Sequence, residues 1–125
     1  MKRIISTPNA PQAIGPYSQA VEANGFVFVS GQIPIVPATG QIPEGIEAQT
    51  EQVMRNIGAI LEAAGLTYSN VVKTTVLLKS IADFATMNGI YAKYFTAECP
   101  ARAAFEVGAL PKGALIEVEV IAAKN

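Results

Sequence analysis

The chain contains no histidine. That removes the commonest general base near neutral pH, the usual activator of a serine or cysteine nucleophile, and the commonest metal ligand. Proton transfer must fall to Glu, Asp, Tyr, Lys or a thiol. There is a single cysteine, which excludes an internal disulfide and a cysteine-based zinc site. No apolar run approaches the ~20 residues of a membrane span. The first eight residues carry two basic side chains but no sustained apolar stretch behind them, which argues against a signal peptide, so the expected location is the cytoplasm. No Gly-rich phosphate loop of either common type is present. Net charge is −1 and Lys and Arg do not cluster, so nucleic acid is not an expected partner.

What is present is the composition of one globular domain, residues 1–125. Half of the residues are hydrophobic, and a chain of this length buries roughly two-thirds of its unfolded surface. There is no internal repeat and no linker. Ile4-Ile5 reads as a short strand, Asn9 to Pro16 as a loop, and Tyr17 to Ala23 as a strand. Asn24-Gly25 is a hairpin signal. Phe26 to Ser30 is apolar on both faces and therefore central, and Pro34 to Pro43 is a proline-rich loop. From Ile46 to Ala64 the period becomes helical: Val53, Ile57, Ile60, Leu61 and Ala64 form one stripe, with Gly65 as C-cap. Val71 to Lys79 is a Val/Thr-rich strand. Ser80 with Asp83 resembles a capping box ahead of a second helix, whose stripe is Phe84, Met87, Tyr91, Tyr94 and Phe95. Pro100 to Val107 and Leu115 to Ala122 are the final strands.

The order β(ββ)αβαββ predicts an α+β domain with two helices on one face of a mixed sheet. The short link Gly108 to Ala114 suggests that the last two strands pair antiparallel. Two helices cover one sheet face only, so the other wants cover from another subunit, which predicts a closed homo-oligomer.

Arg102 is the most informative residue. Strand parity groups it with Ala104 and Glu106. A guanidinium keeps its proton, so a half-buried strand should supply an anion; Glu106, Glu117 and Glu119 are the candidates, and sequence does not choose among them. One reading is a structural Arg–Glu bridge. The other is a pair on rigid strands that binds a small carboxylate and handles its protons. Glu117 is the best acid/base candidate, since burial on an apolar strand raises a carboxyl pKa.

Other positions carry paired readings. Asn88, at the edge of the second helix's stripe, satisfies a loop carbonyl or reaches a ligand. Ser30 ends the central strand without a base to activate it, and with the close approach that Gly31 permits it could hold a carboxylate oxygen. Tyr17 packs, or caps a pocket with its ring. Cys99 reads as a small buried hydrophobe.

These residues carry a family likeness. The segments Asn9-Ala10-Pro11, Ala13 to Ala20, Ser30-Gly31-Gln32-Ile33-Pro34, Glu62 to Leu66, Val72 to Val76, Asp83 to Asn88, Pro100-Ala101-Arg102, Glu106-Val107, Leu110-Pro111-Lys112 and Ile116 to Glu119 together resemble the Rid family (RidA/YjgF type, reactive intermediate/imine deaminases) along the full chain. The resemblance implies a chorismate-mutase-like α+β fold, a homotrimer and ligand clefts between subunits. It implies hydrolysis of 2-aminoacrylate and 2-aminocrotonate, products of pyridoxal-phosphate dehydratases acting on serine and threonine, to 2-oxo acids and ammonia, with no cofactor and no metal. It assigns Arg102 to the substrate carboxylate and Glu117 to water or proton handling. Tyr17, Ser30 and Asn88 match pocket residues and Gly31 a backbone contact. The partners implied are small 2-imino and 2-oxo carboxylates. One position departs from the pattern: where family deaminases often have cysteine two residues after the arginine, this chain has Ala104. An alternative of the same fold is a regulatory trimer that binds such metabolites without turnover. Some relatives carry translation-inhibitor or ribonuclease labels, against which the missing histidine and low charge argue.

Overall fold

A computed structural model describes all residues, Met1 to Asn125. Six strands form one mixed sheet: β1 (Arg3–Ile5), β2 (Ala20–Ala23), β3 (Phe26–Gln32), β4 (Val71–Leu78), β5 (Ala101–Glu106) and β6 (Ile116–Ala123). Two helices, α1 (Ile46–Ala63) and α2 (Phe84–Tyr91), lie on one face. The spatial order is β1-β2-β3-β6-β4-β5. All neighbours are antiparallel except β4 and β5.

Local chemistry sets most of this frame. Asn24 (φ 51°) and Gly25 (φ 80°) close the β2–β3 hairpin in left-handed backbone, the conformation of a type I′ turn. α1 buries Val53, Met54, Ile57, Ile60 and Leu61 completely; each such side chain contributes roughly 1.5–3 kcal/mol. The helix stops where the Leu66 amide bonds back to the Leu61 carbonyl at 2.9 Å, with Gly65 at φ 77°, the left-handed closure that favours glycine. Beneath the helices lie Val27 and Val29 of β3, Thr74, Val76 and Leu78 of β4, and Ile116, Val118 and Val120 of β6. The opposite face has no helix. There Phe28 and Phe105 remain 45% and 48% exposed, and Ile4 53%.

Several expectations are corrected. β5 and β6 do not pair: β4 lies between them, and β5 runs parallel to β4 as an edge strand. The charged pattern of β5 suits an edge, where its outer backbone and polar side chains stay solvated. β2 begins at Ala20, because the Pro16 turn holds Tyr17 in a bend. Ser80 accepts a hydrogen bond from the Ala82 amide at 3.2 Å, so it makes a one-sided cap and no capping box with Asp83. α2 ends at Tyr91; Tyr94 and Phe95 pack from the turn beyond it, both against Tyr68. Cys99 is exposed, because the turn before β5 carries it to the edge of the sheet.

Candidate active site

The two principal side chains lie on opposite faces of the sheet. The β4–β5 register sets Arg102 beside Thr74, and Thr74 is fully buried on the helix-covered side. The β4–β6 register sets Glu117 beside Leu77, three residues along and on the uncovered side. Within one chain they cannot meet.

Arg102 has no carboxylate partner. The chain's ion pairs are Arg3–Glu22, Lys124–Glu22 and Lys93–Glu51. Instead Arg102 Nη1 donates to Asn88 Oδ1 at 2.7 Å. The guanidinium carbon stands 4.8 Å from the Tyr91 ring centre and 5.3 Å from that of Phe84, within cation–π reach. The expected anionic bridge is therefore absent, for a physical reason: on an exposed edge strand, water and aromatic faces replace the anion that burial would demand. Glu106, on the same face, is engaged elsewhere, accepting from the Ile81 amide at 2.9 Å ahead of α2. A cleft of about 430 Å³ opens here, lined by Asn88, Tyr91, Phe95, Cys99 and Arg102.

Glu117 lies in a second and larger cleft, about 800 Å³, with Tyr17, Ser30, Gly31, Lys112 and Glu119. Burial, and next the neighbouring Glu119 charge, push its carboxyl above the ordinary value of 4.5, the direction expected for a desolvated acid. The β3–β6 register slips between Val29 and Gln32, so Ser30-Gly31 forms a bulge. A Cβ at Gly31 would collide with the Glu117 carboxylate, and would lie only 3.0 Å from its Cδ. Glycine is needed because the acid sits directly over the backbone. The Ser30 hydroxyl donates to the Ser18 carbonyl at 2.6 Å, which leaves its oxygen free to accept but not to attack.

The sequence-selected residues thus fall into two groups, Tyr17, Ser30, Gly31 and Glu117 in one cleft, Asn88 and Arg102 in the other. Three residues carry more than the sequence disclosed. Gln19 is buried and ties the Thr7–Pro11 segment to the large cleft's wall, donating to the Thr7, Ala10 and Pro11 carbonyls and accepting from the Thr7 amide. Thr74 and Tyr91 share a buried hydroxyl contact at 2.8 Å beside Arg102. A polar residue at an inward position of a strand was the one available signal for Thr74. No three His, Cys, Asp or Glu side chains converge where they could hold a metal ion, and no helix is long and apolar enough to cross a membrane.

The endoribonuclease L-PSP family model matches residues 7–124. The chloroplastic Reactive Intermediate Deaminase A of Arabidopsis thaliana is 55% identical over 122 residues, 97% of this chain and 65% of that protein. The 2-iminobutanoate/2-iminopropanoate deaminase of Homo sapiens is 52% identical over 123 residues, covering 98% of this chain and 90% of that one. Among solved structures, a Rid family protein of unknown function from Yersinia pestis superposes with a TM-score of 0.96 at 54% identity, covering 98% of this chain and 99% of that one. By sequence along nearly its whole length and by fold, this chain belongs to the Rid family.

Proposed function

We propose that the protein is a hydrolytic enamine/imine deaminase, converting 2-aminoacrylate and 2-aminocrotonate, through their 2-imino tautomers, to 2-oxo acids and ammonia. The observation that carries this reading is the division of labour between the clefts: a guanidinium without a carboxylate partner in one, a burial-raised glutamate in the other, on opposite sheet faces. In a trimer packed through the uncovered faces, Arg102 of one subunit and Glu117 of its neighbour would border the same space. The names of the relatives support the substrate class.

In this reading the Arg102 nitrogens left free by Asn88 grip the substrate carboxylate through a charge-assisted, bidentate pair. The enamine gains a proton at C3 and loses one from nitrogen, becoming the 2-imino acid. Glu117 positions a water, accepts its proton as the oxygen bonds to C2, and returns a proton to nitrogen. Collapse of the carbinolamine expels ammonia and leaves the 2-oxo acid, so one water is consumed and one ammonia released. The Gly31 amide and the Ser30 oxygen lie beside the acid, and the Tyr17 ring caps the cleft. Ala104 supplies no thiol, and none of these steps uses one.

The test is release of ammonia and 2-oxo acid from freshly generated 2-aminoacrylate. The protein should accelerate it. Glu117→Gln should lower kcat by roughly 10²–10⁴, the usual share of general acid–base catalysis, while 2-oxobutanoate still binds; Arg102→Ala should abolish that binding. A protein that binds 2-oxobutanoate yet leaves the reaction at its uncatalysed rate would instead be a metabolite-sensing trimer.

A further inference from the structure

Arg102 is held from three elements at once. β5 sets it beside Thr74 of β4. The Thr74 hydroxyl meets the Tyr91 hydroxyl at 2.8 Å, and the Tyr91 ring stands 4.8 Å from the guanidinium carbon. Asn88, one turn earlier on α2, accepts from Nη1. Thr74 and Tyr91 are 0% and 7% exposed, so their contact is shielded from water and fixes the ring. An arginine on an edge strand otherwise samples many rotamers. Here one nitrogen is tethered, a ring face meets the guanidinium, and the side chain lines the cleft with its other nitrogens free of hydrogen-bond partners.

We propose that Tyr91, anchored by Thr74, is a positioning residue for Arg102: its ring fixes the plane of the guanidinium so that the free nitrogens present a two-pronged edge to a substrate carboxylate. The inference rests on the carboxylate-binding reading above and adds a residue to it. Asn88 alone cannot do this, because a single hydrogen bond leaves the guanidinium free to swing about it. Burial raises the Tyr91 hydroxyl above its ordinary value of 10.0, so the anchoring hydroxyl stays neutral near pH 7.

The test uses the full chain, 2-oxobutanoate as probe, and two readouts, the dissociation constant by NMR titration and Tm. Tyr91→Phe keeps the ring but loses its anchor and strands the Thr74 hydroxyl; it should lower Tm and weaken affinity about threefold, less than loss of the ring itself, and unchanged affinity would remove Thr74 from the proposal. Tyr91→Leu removes the ring and should weaken binding about tenfold, the equivalent of ~1.4 kcal/mol. The same substitution in an Arg102→Lys background should change affinity less than about twofold, because an ammonium has no plane to fix. If Tyr91→Leu does not fold, Tyr91→Met, which also has no ring face, is measured in both backgrounds with the same expected contrast. Wild-type affinity in the ring-deleted variant, or equal weakening in both backgrounds, would overturn the proposal and leave Tyr91 a packing residue. Intact affinity in Arg102→Ala is a different result: it would remove the carboxylate-binding reading itself.

Discussion

At Glu117 the proposed function works against stability. Its carboxyl is half-buried over Gly31 and beside Glu119, and its pKa is raised, mainly by desolvation. A raised folded-state pKa means that the folded protein binds this proton more tightly than the unfolded chain. Stability from this group is therefore present at low pH and is lost as pH rises through the folded pKa. Glu117→Gln, which keeps the shape without the charge, should raise Tm at pH 7. The gain should shrink on acidification and vanish below the ordinary value of 4.5. A Tm scan against pH checks this; no gain at neutral pH, or a gain that grows on acidification, would contradict it. The side of the sheet that Glu117 faces was readable from strand parity, because Ile116, Val118 and Val120 alternate with it. Gly31 signalled a close approach in the strand, but that Glu117 is what approaches was not readable, since it depends on the β3–β6 register.

Elements were easier to read than their neighbours. Periodicity located α1, the Asn24-Gly25 hairpin and β4 to within a residue or two, because each is set by local chemistry. Pairing is not local. The short Gly108–Ala114 link favours a β5–β6 hairpin, yet β6 is drawn into the sheet centre by its four buried side chains, Ile116, Val118, Val120 and Ala122. β5, with Arg102 and Glu106, is left at the edge. Burial competes with chain proximity here and wins. A side chain on α1 secures the arrangement: Gln49, 5% exposed, accepts from the Leu115 amide at 2.8 Å and donates to the Pro43 carbonyl at 3.0 Å. It joins the helix to the start of β6 and to the proline-rich loop. Gln49→Leu should destabilise by about 1 kcal/mol, the cost of leaving two part-buried backbone groups without their partner. Urea unfolding measures this, and an unchanged midpoint would show that the groups find other partners.

At the scale of the molecule, the dominant fact is an apolar sheet face with nothing over it. Ile4, Phe28 and Phe105 are about half exposed along it, and large apolar side chains spread over one face suit an interaction surface. The Arg102 and Glu117 clefts, on opposite faces, are each incomplete by the chemistry proposed. Closed symmetry would answer both at once, since a ring of identical subunits buries the bare face and brings one subunit's Arg102 edge to its neighbour's Glu117 cleft. The sequence pointed to the uncovered face by counting helices against strands. It could not show that the two principal residues look away from each other, because that depends on where β4 inserts.

Subunit mixing tests this central claim most directly. Arg102→Ala and Glu117→Gln proteins, each inactive alone, are unfolded together in equal amounts and refolded. If every site takes its arginine from one subunit and its glutamate from the next, random assembly should restore about a quarter of wild-type deaminase activity, since each of the two positions is intact half the time. A mixture that remains as inactive as its components, while light scattering shows that it has reassembled, would place both residues' work within single subunits and contradict the account.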